Sequence, residues 1–424
     1  VVPTEKNNLR PLPPSSEICY FLGAGFSKAS KYELPTGEGF LSRDARIYCR
    51  DKLNEKGTIP VSNHPDLHEL LGRIEARYGD LESLNLESVM TDLYERTAGI
   101  GGPWSNRDVA YIDGVLPFKD AHFQAAAPEG IPMAPPPEGT DLQRDYKLLL
   151  LYVVLRLRIV EVREDECPMV RQFLNTLRLR DSIVTLNYDT MIERHWTVGA
   201  GERPLPDQRV DLLGYYIGLP TPGFHSNPRM LVDVQPKTRG YFTKLHGSVD
   251  WRSCPEPMCP NHRYIESTDR QRPDVVDGGE QWHCAACASV PETVIIPPVA
   301  AKPFERFPKL RLMWLQAFRA LRLAPRWVFV GVSFADTDTH LRSLVRAASE
   351  EWFGVGVAGL GQICVVNKGC KSQEAADRLW ECLAPRVQEK LRTEVGGIAT
   401  FASVEDYLAA VESTDRSRAP DPAR

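Results

Sequence analysis

Short apolar runs that each end on a glycine or an asparagine constrain this chain more than any other feature. They are Ile18 to Leu22, followed by Gly23; Ser182 to Leu186, followed by Asn187; Arg326 to Val332, which contains Gly331; and Gln362 to Val366, followed by Asn367. Continuous runs of this kind mark strands buried on both faces. Stretches of helical periodicity separate them, among them Phe40 to Arg96, Asp141 to Val162, Phe304 to Leu323 and Ser372 to Leu391. The alternation predicts an α/β fold, a Rossmann-like parallel sheet with helices on both faces. Shorter strands are expected at Tyr241 to Leu245 and Thr293 to Ile296, and a closing helix at Val404 to Val411.

Ligands of such a sheet bind beyond the carboxyl ends of its strands. Gly23, Asn187, His246, Gly331 and Asn367 all fall there, and this shared placement is worth more than any single motif. The 424 residues suffice for one large domain with insertions. A net charge of −5 argues against a surface that coats nucleic acid. The most apolar stretch, Leu148 to Val160, is too short to span a bilayer and carries Arg156 and Arg158. Val1 to Ser16 has no apolar run of the secretory kind, and with ten cysteines this predicts a reducing, cytoplasmic setting.

Gly23-Ala24-Gly25-Phe26-Ser27 lies between a strand and a helix, where glycines let the backbone approach a pyrophosphate. Lys28 occupies the place of a dehydrogenase's third glycine, so hydride transfer is disfavoured. A tight turn alone accounts for the same residues, and Ser27 suits either a phosphate contact or a helix cap. Asn187 can hold a water or a ribose hydroxyl without titrating, with Asp189 to orient it. Helix capping is the competing role for this pair. His246, after a strand and before Gly247, has the setting of a general base; a structural histidine is the alternative.

Cys254-x4-Cys259 and Cys284-x2-Cys287 have the spacing of a four-thiolate zinc ribbon, closed and therefore structural. His262 and His283 are spare ligands nearby. Cys19, Cys49, Cys167, Cys364, Cys370 and Cys382 lack ligand spacing and are expected to be buried.

Taken together, these segments resemble the sirtuin superfamily. Gly23 to Ser27 is similar to its phosphate loop, Thr185-Leu-Asn187-Tyr-Asp189 to its Thr-Gln-Asn-Ile-Asp segment, and Leu245-His246-Gly247-Ser248 to its histidine loop. Gly331-Val-Ser333 and Val365-Val366-Asn367 resemble the late strand ends that hold the adenosine half of NAD. The matches, each short, run in order from residue 18 to about 370. Leu34-Pro-Thr-Gly37 replaces the deacylases' Pro-Asp-Phe-Arg element, and Asp336 and Asp338 follow Ser333. These departures resemble the sirtuin-like branch of bacterial antiphage systems, in which NAD+ is hydrolysed.

The resemblance implies a catalytic domain over 17–413, a helical insertion over 40–162, a zinc-ribbon-like insertion over 252–290 and a mobile tail over 414–424. It implies NAD+ as substrate and structural zinc, with Asn187, His246 and Asp189 catalytic and Gly23, Ala24, Gly25 and Ser27 at the pyrophosphate. Gly331, Ser333 and Asn367 would hold the adenosine end, with Asp336 there or capping a helix. An unchecked NADase is toxic, so control by homo-oligomerisation or by a partner such as a HerA-type ATPase or an Argonaute-type protein is expected. Neither membrane nor direct nucleic-acid binding is. The retained ribbon keeps a second expectation open, a protein deacylase or ADP-ribosyltransferase whose acceptor groove the proline-bearing Ala200 to Gly240 segment lines. A catalytically silent NAD-binding module is the third.

Overall fold

The computed structural model describes residues 3–7, 9, 17–30, 34, 39–48, 58–101, 139–159, 167–178, 181–198, 242–254, 256, 258–260, 266–267, 284, 286–289, 292–299, 302, 310–336, 338–351, 361–395 and 397–416. The Ala200 to Gly240 segment, most of the Ala127 to Thr140 loop, Cys49, His262, His283 and residues 417–424 lie outside the described residues.

A seven-stranded, wholly parallel sheet forms the centre. Its strands are β1 (Thr4–Lys6), β2 (Ile18–Leu22), β5 (Ser182–Thr185), β6 (Phe242–Lys244), β10 (Arg326–Val330), β11 (Gln362–Val366) and β12 (Ile398–Phe401). Every residue of β2, β10 and β11 is buried. Alternate residues feed two cores: Cys19, Phe21, Trp327, Phe329, Ile363 and Val365 face one, and Ile18, Tyr20, Leu22, Val328, Val330, Cys364 and Val366 the other. Helices cover both faces, which is why these strands read as continuous apolar runs.

Strand order fixes where a ligand belongs. The sheet runs β6-β5-β2-β10-β11-β12-β1. Leaving out β1, that is third, second, first, fourth, fifth and sixth in chain order, the arrangement of dinucleotide-binding sheets. The order reverses between β2 and β10, so the crevice lies above those two strands.

The loops that leave β2 and β10 interlock through glycine. Gly23 donates to the Val330 carbonyl at 2.9 Å and Gly25 to the Gly331 carbonyl at 3.0 Å. Gly331 has φ +66°, and a Cβ there would overlap the Gly25 and Phe26 backbones. Gly331→Ala is therefore expected to destabilise the fold by about 1–3 kcal/mol from the backbone conformation alone, with the overlap in addition. Chemical denaturation measures it, and an unchanged midpoint would show that the crossing relaxes freely.

A third core belongs to the helical layer: α1 (Pro65–Tyr78), α2 (Leu86–Gly101) and α3 (Gly139–Leu157), with a hairpin of β3 (Arg46–Tyr48) and β4 (Thr58–Pro60). The Leu148 to Val154 run is buried throughout, so it is a core helix. A three-stranded sheet, β8-β7-β9, stands apart: β7 (Gly247–Ser253), β8 (Glu266–Ser267) and β9 (Glu292–Ile295).

Some elements depart from the sequence reading. The helix expected over Ser372 to Leu391 is two, Lys371–Cys382 and Pro385–Lys390, because Pro385 disfavours helical geometry at the preceding residue. Strand β12, helix Thr339–Glu351 and the β3–β4 hairpin were not expected. β1 precedes residue 17, and the last helix continues to Arg416. Cys370, expected to be buried, is exposed, because it sits at the open start of a helix on the carboxyl side of the sheet.

Candidate active site

Above the crossing of the β2 and β10 loops lies a cavity of about 250 Å³. Its floor comes from the strand ends: Gly23, Ala24 and Ser27 after β2, Asn187 to Asp189 after β5, His246 after β6, and Gly331 to Ala335 after β10. The helical layer supplies an apolar wall of Phe40, Leu86, Val153 and Leu157. This volume sits just below the usual range for small-molecule pockets, so it suits part of a dinucleotide.

Asn187, Ser27 and Asp189 form one network. The Asn187 amide donates to the Gly23 carbonyl at 3.0 Å and to Ser27 Oγ at 2.8 Å. Ser27 Oγ donates to Asp189 Oδ2 at 2.7 Å, and Asp189 Oδ1 accepts from the Met191 amide at 3.0 Å, capping the helix Met191–Val198. Both amide hydrogens of Asn187 are thus committed within the protein, and a ligand meets its carbonyl oxygen, an acceptor. Asp189 fixes Asn187 through Ser27 while also accepting from the first amide of the next helix.

The network also changes how the first loop is understood. The single hydroxyl hydrogen of Ser27 goes to Asp189, and the Gly23 and Gly25 amides go to the Val330 and Gly331 carbonyls at the end of β10. Those groups serve to hold the crossing. Ala24, exposed and lining the cavity, is the part of the loop turned to a ligand.

His246 is 5% exposed, with Tyr188 and Trp314 at ring-centroid distances of 6.1 and 6.2 Å. Burial among them pushes its pKa down to about 4, against a smaller upward pull from Asp338. The imidazole is therefore neutral at physiological pH and able to take a proton. Its carbonyl accepts from the Ile296 amide at 2.8 Å, and Gly247 at φ +83° turns the chain into β7.

Lys244, two residues earlier, secures the neighbouring loop. Its buried ammonium donates to the Asp189 carbonyl at 2.5 Å and pairs with Glu193 at 2.8 Å. Lys244→Met leaves Glu193 buried without its cation and is expected to cost about 3–5 kcal/mol. Adding Glu193→Leu should recover part of that loss in thermal unfolding; no recovery would mean that the pairing is not what Lys244 contributes.

Of the residues expected at the adenosine end, Gly331 and Ser333 line the cavity. Asn367 does not: its amide donates to the Val332 carbonyl at 3.3 Å and braces that loop. Asp336 is exposed and pairs with Arg342 at 3.0 Å, whereas Asp338 lines the cavity, caps the next helix and approaches Lys302 at 3.9 Å. Tyr188, Lys302 and Glu87 were missed. Tyr188 had a signal, since it lies inside the Asn-x-Asp motif; the other two come from segments without one.

The four cysteines do converge. Their sulfurs all lie within 4.8 Å of one another, with Cys254 to Cys287 at 3.4 Å and Cys259 to Cys284 at 3.6 Å. A tetrahedral zinc with bonds of about 2.3 Å sets sulfurs about 3.8 Å apart, so the cluster fits that ion. The Cys284 amide donates to the Ser289 carbonyl and the Ala288 amide to the Cys284 carbonyl, both at 2.8 Å, which closes the second knuckle. Four thiolates leave no open position, so the ion would be structural. β7 runs from His246 directly into Cys254.

No family model and no curated protein matches the chain. Among solved structures, the chain aligns with one described as the structural basis for the mechanism and regulation of Sir2 enzymes. The match has 12% identity, covers 95% of this chain and 94% of that chain, and has a TM-score of 0.35. A second, on the structural basis for sirtuin substrate affinity, aligns at 12% identity over 95% and 92%, with a TM-score of 0.27. A third, Sir2 with an inhibitor, 2'-O-acetyl-ADP-ribose and a deacetylated peptide, aligns at 12% identity over 94% and 91%, with a TM-score of 0.28.

Proposed function

We propose that the chain is an NAD+ hydrolase that cleaves the bond between nicotinamide and ribose. One observation carries the reading: at the switch point of a dinucleotide-type sheet, a fixed amide acceptor and a neutral buried imidazole line one cavity. In NAD+ the nicotinamide ring is cationic and leaves neutral, its nitrogen keeping the electron pair of the broken bond, so the leaving group needs no acid. Positive charge develops on the ribose, and the site's task is to hold that sugar and its nucleophile in place. The Asn187 carbonyl oxygen accepts from a ribose hydroxyl or from the attacking water, and His246 takes the proton as water bonds to the anomeric carbon. Gly23, Ala24, Gly331 and Ser333 wall the side toward the pyrophosphate and adenosine.

The resemblance of the motifs supports an antiphage setting, in which NAD+ depletion would be held in check by assembly or by a regulatory partner. No helix of the described residues is long and apolar enough to cross a membrane. The test follows NAD+ and its products by chromatography, with and without an acetyl-lysine peptide and with candidate activating partners. ADP-ribose and nicotinamide formed without peptide are the expected result. O-acetyl-ADP-ribose formed only with peptide would sink the proposal in favour of deacylation.

A further inference from the structure

Tyr188 follows Asn187 in the chain and packs beside His246, and the proposed hydrolysis does not use it. It lines the same cavity and holds its ring 6.1 Å from the His246 imidazole. Both ends of the residue are tied down. Its hydroxyl donates to the Ile296 carbonyl at 2.6 Å, and Ile296 in turn donates its amide to the His246 carbonyl at 2.8 Å. Its own carbonyl accepts from the Val249 amide at 3.0 Å. Burial raises the phenol's pKa, with Asp338 and Glu87 adding to the effect, so it remains a neutral donor throughout the working range. Such a side chain is a fixed wall; a ring latched to the backbone that carries the histidine cannot swing aside as a lid would.

We infer that Tyr188 determines the acceptor of the reaction: its ring fills the space beside His246, so that water reaches the anomeric carbon and carbon-bearing nucleophiles do not. The inference rests on the hydrolase reading above and deepens it. The cavity of about 250 Å³ lies just below the usual range for small-molecule pockets. Tyr188 lines the same cavity as His246, so its ring bounds the space open to a nucleophile beside the imidazole. Cleavage by a variant without the ring follows the same bond changes, at whatever rate the altered site supports. The nicotinamide nitrogen still keeps the electron pair of its broken bond, the anomeric carbon still gains a bond to oxygen, and His246 still takes the proton, now from an alcohol.

The partition of products tests this, because a ratio is independent of how much enzyme is folded. Wild type, Tyr188→Ala and Tyr188→Phe are given NAD+ in water containing methanol or ethanol, and ADP-ribose is separated from the alkyl ADP-ribosides. Wild type should give ADP-ribose almost alone. Tyr188→Ala should raise the ratio of transfer to hydrolysis by about tenfold or more, the discrimination that a methylene-sized difference commands. Tyr188→Phe keeps the ring without its hydroxyl latch and should give a ratio between those of wild type and Tyr188→Ala. If Tyr188→Ala does not fold, Tyr188→Leu, closer in volume, carries the same reading. An unchanged ratio in the shortened variant, or efficient transfer to ethanol by wild type, overturns the inference while leaving hydrolysis standing. A wild-type chain that cleaves no NAD+ with any partner overturns both.

Discussion

His246→Ala is expected to lower NAD+ cleavage by about 10²–10⁴-fold, the usual contribution of a general base. Asn187→Ala should lose about 10²-fold or more, as misplaced reacting groups do. The two should differ in pH behaviour. Wild-type His246 titrates at about 4, so it is neutral from there upward. At pH 5 about nine-tenths of the imidazole is then in the basic form, whereas a histidine of ordinary pKa 6.5 would be about 3% basic. Wild-type activity should accordingly stay level from pH 8 to about pH 5 and fall as pH drops through 4; Asn187→Ala should show the same profile at a lower level. The same shift acts on stability with a definite sign. An unfolded chain takes up a proton at His246 below 6.5 while the folded chain does not until about 4, so folded stability declines across that window as pH falls. A rate that halves near pH 6.5, with folding intact, would place the titrating base elsewhere.

The sheet was legible because its central strands are buried on both faces. Ile-Cys-Tyr-Phe-Leu at β2 and Gln-Ile-Cys-Val-Val at β11 have no polar face to confuse their period. Two strands escaped: Thr4–Lys6 is polar and half-exposed, and Ile398–Phe401 has Ala399 and Thr400 at its centre in place of large apolar residues. The floor of the site was legible for a related reason. Strand ends put Asn187 and His246 on one side of the sheet once the strands were placed. The walls were not, since Phe40, Glu87, Val153 and Lys302 reach the cavity from helices and loops whose packing no local pattern specifies. The roles of the glycines were only half legible. Spacing marked Gly23 and Gly25, but their amides turn out to bind the β10 loop, and that partnership depends on which strand lies next to β2.

Removing zinc is expected to reach the active site although no thiolate touches the cavity. One zinc per chain is the expected content by metal analysis. Chelation, or Cys284→Ser with Cys287→Ser, leaves the Cys254 end of β7 without its cross-link. β7 pairs with β9 at Arg252 with Thr293 and at Ser253 with Glu292, next to the cysteines, and again at Gly247 with Ile295, next to His246. Between these points the register shifts, so the two ends of the ribbon are held separately. The His246 end also has the hydrogen bond from Ile296 and the Trp314 indole, which donates to the Leu245 carbonyl at 3.0 Å. Loss of the metal should therefore strip exchange protection from the amides of Trp251 to Ser253 first. NAD+ cleavage should fall by up to about 10²-fold, the effect of displacing a catalytic group by about 1 Å. The central sheet, whose core contains no cysteine of the cluster, should keep its own unfolding transition. A wild-type chain that is stable, zinc-free and fully active would refute the structural role; a zinc-depleted chain with unchanged kcat would show that the Ile296 and Trp314 contacts hold His246 unaided.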